Sequence, residues 1–207
     1  MPFHPDRINI HELTIEEPEQ QTELPFDPER DLTEEDWNRI WARLESCKNE
    51  DPKFGSVIAT QAMIVKILKS KADLNLNQTD WERMSGDLQS SKKFGHFSDL
   101  SHLAMEMKTL NPKADLGLDR IAWQGMEKAL EGCRTDNRWS DFAKNAMSLK
   151  VLNPDINLNL DQTAWQGMEK ELADLMLNED WGGFSKLAMS MKILDPDINL
   201  HLNQNVW

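Results

Sequence analysis

Residues Trp139 to Trp165 read WSDFAKNAMSLKVLNPDINLNLDQTAW, and from Trp181 to Trp207, 42 residues further on, the chain reads WGGFSKLAMSMKILDPDINLHLNQNVW. Self-similarity at a fixed period is a stronger guide to fold than length, because each unit is one supersecondary motif that buries its apolar face only against its neighbours. An earlier copy, FSDLSHLAMEMKTLNPKADLGLDRIAW, runs from Phe97 to Trp123, and a more divergent one from Phe54 to Trp81. The 207 residues are therefore predicted to form an array, not one or two ordinary globular domains.

Two helices per unit follow from the residue order. Thr33, Asn77, Asp119, Asp161 and Asn203 each stand four residues before a repeat tryptophan (Trp37, Trp81, Trp123, Trp165 and Trp207), and all are N-cap residue types. Leu32, Leu76, Leu118, Leu160 and Leu202 precede them, so leucine at N′ and tryptophan at N4 meet the hydrophobic-staple spacing. The apolar stripe of this first helix continues at helical spacing, as in Trp81, Met84, Leu88 and in Trp123, Met126, Leu130. After a polar connection a second helix is predicted to open near Phe54, Phe97, Trp139 and Trp181. Ala62, Ala104, Ala146 and Ala188 recur inside its apolar stripe, and a small residue there lets two helices approach closely. Asn or Asp before Pro112, Pro154 and Pro196 ends the helix, since proline lacks a donor and restricts its predecessor. The first copy has Lys69-Ser70-Lys71 at that point, which predicts a looser turn.

A 42-residue unit of two antiparallel helices resembles the HEAT and armadillo class of α-solenoids, and the pattern also looks like repeat arrays in uncharacterised bacterial proteins. The resemblance covers residues 32–207 and implies an all-α, right-handed α-solenoid of about four two-helix repeats, without implying an activity. The repeats are placed at about 32–75, 76–117, 118–159 and 160–201, with a partial cap at 202–207. Residues 1–31 are acidic and proline-rich without helical period, and read as an irregular tail that is disordered or caps the array.

The net charge of −13 is concentrated at the start of the sequence: residues 1–36, the tail with the first turn after it, carry −10 and the remainder −3. Cys47 and Cys133 occupy the same place in repeats two units apart, too distant for a disulfide, and unpaired thiols suit a reducing compartment. No basic start with an apolar run reads as a signal peptide, and no apolar stretch approaches the roughly 20 residues that span a bilayer. The expectation is a cytoplasmic, monomeric protein without membrane contact.

Three patterns invite a chemical reading. Lys66, Lys108, Lys150 and Lys192 recur at one position, as an anion-binding ladder would. The helical wheel instead puts them in the middle of the apolar face, in the last turn, with the ammonium reaching terminal carbonyls or Asp73, Asp115, Asn157 and Asn199 of the following loop. The tryptophan and methionine stripes coincide with staple and core positions, so they read as core and not as a stacking platform or soft-metal box. His4, His11, His96, His102 and His201 share no register, and His96 and His102 are predicted on different sides of a helix, so no metal site is expected. Neither a cofactor motif nor a catalytic constellation is present, and the reading is non-enzymatic.

The copies disagree on the face of the second helix opposite its alanine: Thr60 and Ile64, His102 and Glu106, Lys144 and Ser148, Lys186 and Ser190. A constant frame with an outward variable face suits a scaffold or adaptor for a protein partner. RNA binding by the nearly neutral repeats, autoinhibited by the acidic tail, is the alternative, as is an acidic inhibitor or immunity protein.

Overall fold

A computed structural model of the chain describes residues 32–49, 55–198 and 200. These form α1 (Glu34–Asn49), α2 (Gly55–Leu68), α3 (Gln78–Phe94), α4 (Phe97–Leu110), α5 (Arg120–Thr135), α6 (Trp139–Leu152), α7 (Gln162–Leu177) and α8 (Trp181–Leu194). The fold is all-α, with no strand among the described residues.

The odd-numbered helices begin where the caps predict. Asn77 Oδ1 accepts from the Asp80 N–H at 3.0 Å while Asp80 accepts from the Asn77 N–H at 3.0 Å, a reciprocal capping box. Thr33 and Asp36 form another, and Asp119 and Asp161 accept from Ala122 and Ala164, each at 2.9 Å. Leu76 with Trp81, Leu118 with Trp123, and Leu160 with Trp165 all pack half-buried against the core, as stapling requires. Asn203, Trp207 and the tail 1–31 lie outside the described residues.

Phe97, Trp139 and Trp181 open α4, α6 and α8, but Gly55, not Phe54, holds the matching place in α2; Phe54 lies outside the described residues. The exchange has a packing reason. Gly125 and Gly167 leave room on α5 and α7 for Phe97 and Trp139; a Cβ on either glycine would come within 2.3 Å of a ring carbon. On α3 the same position is Arg83, and there the glycine is on the other side: a Cβ on Gly55 would lie 2.4 Å from the Arg83 carbonyl. One side of each contact is reduced to glycine so that the helices can touch.

The even-numbered helices stop at Asn111, Asn153 and Asp195, each in extended backbone before its proline. The carbonyls of these residues accept from Ala114, Ile156 and Ile198, and Lys69 accepts from Ala72 at 2.9 Å, so the first copy makes the same turn without proline. Asp73, Asp115 and Asn157 then accept from the backbone N–H two residues on, turning the chain through positive φ at Asn75, Gly117 and Asn159. A basic residue from the end of the preceding odd-numbered helix binds each of those carbonyls: Lys48 to Asn75, Lys92 to Gly117 and Arg134 to Asn159.

Helices α2, α4, α6 and α8 form a central row, each packed on the next. Helices α3, α5 and α7 lie alongside, each against both the preceding and the following member of the row. Ile58, Leu100, Phe142 and Phe184 are buried at one register position, and Met84, Met126 and Met168 oppose them from the flanking helices. Ala62, Ala104 and Ala146 are fully buried and Ala188 is partly so. Cys47 and Cys133 are buried thiols. Among the described residues no helix is long and apolar enough to cross a membrane.

Candidate functional site

The expected solvent face of the central row is only partly solvent-facing. Glu106, Ser148 and Ser190 are buried, because that side of each helix packs on the preceding member of the row. Lys144, Lys186 and Ile64 are exposed, and Thr60 and His102 are half-buried. Helix α2 has no preceding row member among the described residues, which leaves Ile64 accessible.

The buried polar residues are satisfied differently at each junction. Ser148 and Ser190 turn their hydroxyls back onto Lys144 and Lys186 carbonyls of their own helices, both at 2.9 Å, and so need nothing from a neighbour. At the α4–α6 junction Ser98 and Ser101 donate to Asn145 Oδ1 at 2.8 and 3.2 Å, and Asn145 Nδ2 donates to Cys133 Sγ at 3.4 Å. The α2–α4 junction holds a carboxylate, Glu106, in the register position of Ser148 and Ser190. Glu106 is 1% exposed and takes the Thr60 hydroxyl on Oε1 at 2.7 Å, with His102 Nε2 at 3.2 Å from the same oxygen. A carboxylate removed from water without a donor would be costly; the Thr60 hydroxyl supplies one, and the His102 imidazole lies beside the same oxygen.

This trio opens onto a cavity of about 290 Å³ between α2, α3 and α4. Its other polar lining includes Ser56, Asp87, His96 and Asp99, with Phe94 as an aromatic wall. Asp87 accepts from the Ser56 N–H at 2.8 Å, tying the start of α2 to α3. The backbone between α3 and α4 explains how Phe94 and His96 reach the same opening. Gly95 adopts φ 74°, and the Gly95 and His96 N–H groups return to Lys92 and Ser91, a Schellman ending that passes directly into α4. Phe94 is left exposed, its ring centroid 6.3 Å from that of His96. His96 and His102, expected on different sides, thus line one cavity because His96 precedes α4 instead of lying within it. Among the described residues no group of three or more His, Cys, Asp or Glu is arranged to hold a metal ion.

The lining is rich in acceptors and contains three carboxylates, two imidazoles and no lysine or arginine. Such an opening suits a donor-rich or cationic group. Thr60, His102 and Glu106 were legible as positions where the copies disagree; Asp87, Phe94 and Asp99 were not, since no repeat register singles them out.

The lysines recurring at the ends of the central helices are largely committed to their own loops. Lys108 donates to the Ala114 carbonyl at 3.3 Å, Lys150 to Pro154, and Lys192 to Pro196 and Ile198 at 3.0 and 2.6 Å. Their partners are backbone carbonyls of the loop; Asp115 and Asn157 are already engaged in its turns, Asn199 lies outside the described residues, and Lys66 is half-buried at the end of α2.

In comparisons with known proteins, the chain matches no family model, no curated protein and no solved structure.

Proposed function

We propose that the protein is a non-enzymatic binding scaffold, a right-handed α-solenoid of about four two-helix repeats that holds a partner protein along the edge of its central row, next to the α2–α3–α4 cavity. The observation that carries this reading is the α2–α4 junction. The other junctions bury serine and asparagine that are satisfied within the frame, whereas this one keeps a buried carboxylate, Glu106, beside an open cavity. Thr60, His102, Lys144 and Lys186 follow one another at a single register position from α2 to α8. The edge they mark is acidic near Asp99 and Glu106 and basic at exposed Lys144 and Lys186. A partner with the reverse polarity complements it, and charge patterns of this kind fix register and orientation more than raw affinity. The nucleic-acid alternative has less support, since three lysines of its phosphate ladder are bonded to loop carbonyls.

Affinity capture from a lysate of the source cells tests the reading. The full chain recovers a partner, and Glu106→Gln, which keeps the side-chain size while removing the charge, recovers markedly less of it. No enrichment by the wild-type chain would end this proposal.

A further inference from the structure

We propose that the chain associates with itself head to tail, the outer face of α8 in one molecule packing on the outer face of α2 in the next, so that the central row continues from copy to copy. This goes beyond the binding reading above, does not depend on it, and departs from the monomer expected from sequence.

Such a contact would continue an interface the molecule already makes three times, α2 on α4, α4 on α6 and α6 on α8. Each such contact has two halves. At the forward position Met63 on α2 is half-buried and Met105 on α4 and Met147 on α6 are both 4% exposed; the matching Met189 on α8 is 47% exposed. The backward half includes Glu106, Ser148 and Ser190, all buried; the matching Ile64 on α2 is 37% exposed. The first and last row helices among the described residues therefore expose complementary halves of one interface.

Their composition is the reverse of what solvent exposure favours. At the backward position the buried copies are polar and the exposed copy is isoleucine. Val57, also exposed, lies seven residues before Ile64 on the same face of α2, at a rim position where α4 and α6 carry the exposed Asp99 and Asp141. On α8, Ile193 lies four residues beyond Met189 at the rim of the contact, a position that is also exposed on α2, where Ile67 holds it. Apolar side chains at both ends match each other, and a contact between two different faces repeats along an open chain of molecules instead of closing on itself.

Sedimentation velocity on the full chain tests this, using Ile64→Glu to block one face and Met189→Glu to block the other. Both positions are exposed, and unchanged thermal melts establish that the variants fold; Val57→Glu and Ile193→Glu serve if either does not. The wild type is expected to show a mass rising with concentration above the 23.9 kDa of one chain. Each variant alone stays at one chain mass, and an equimolar mixture of the two gives a species of about twice that mass, because each supplies the face the other lacks. Wild type that remains at one chain mass at every concentration overturns the proposal, as do single variants that still associate or a mixture that does not.

Discussion

Gly167 on α7 and the Trp139 ring at the start of α6 are in such close approach that a Cβ on the glycine would lie 2.2 Å from Trp139 Cε2. Gly125 stands in the same relation to Phe97. Gly167→Ala is expected to lower stability by about 1–3 kcal/mol, the usual cost of overpacking a well-filled contact. Combined with Trp139→Ala it should cost less than the sum of the two single changes, because the second removes the clash created by the first. Urea unfolding followed by circular dichroism measures all three; strict additivity would show that the approach is not limiting.

Asn77 caps α3 through a reciprocal box with Asp80. Asn77→Ala should cost about 1 kcal/mol, seen as a lower urea midpoint at unchanged slope. An unchanged midpoint would mean that tertiary packing alone fixes the start of the helix.

Lys92 reaches Asp119 at 2.8 Å, and this contact, followed by the Ala122 N–H, holds the Asp119 carboxyl below its ordinary value of 3.8. A folded pKa below the unfolded one means that the ionised form favours folding. The contribution is therefore fully present above 3.8 and is lost as the pH falls through the lower folded value. Asp119→Asn keeps a capping side chain but removes this titration, so its acid unfolding limb should be shallower than that of the wild type. Identical limbs would show that the charge contributes nothing.

Burial pushes the Cys133 thiol above its ordinary 9.0, and Asn145 donates to its sulfur. A protonated, buried thiol reacts poorly with disulfide reagents. Labelling of Cys133 in a Cys47→Ser variant should be slow in buffer and accelerate with urea below the unfolding midpoint, reporting local opening. Labelling at the rate of a small free thiol would contradict the burial.

Much of the frame was legible because it is local chemistry repeated. Asn77, Asp119 and Asp161 mark helix starts, and proline after Asn111, Asn153 and Asp195 marks helix ends, whatever lies across the interface. The exchange of sizes between Gly55 and Arg83 on one side and Phe97 with Gly125 on the other was hidden, since it pairs residues on different helices and shifts the expected start from Phe54 to Gly55. The candidate site was half legible. A helical wheel places Glu106 and Ser148 opposite the alanine stripe, but it does not contain the neighbouring helix that buries them. Nor does it contain the turn at Gly95, which brings His96 and Phe94 to the cavity holding His102.

Hydrogen exchange on the full chain, with and without the captured partner, shows whether that partner sits along the row edge beside the α2–α3–α4 cavity. Protection is predicted to concentrate in α2, the end of α3 and the first half of α4, extending to the Lys144 turn of α6, and to weaken in Glu106→Gln. Protection confined to the odd-numbered helices α5 and α7, or unchanged in that variant, would place the partner elsewhere and rule out this edge.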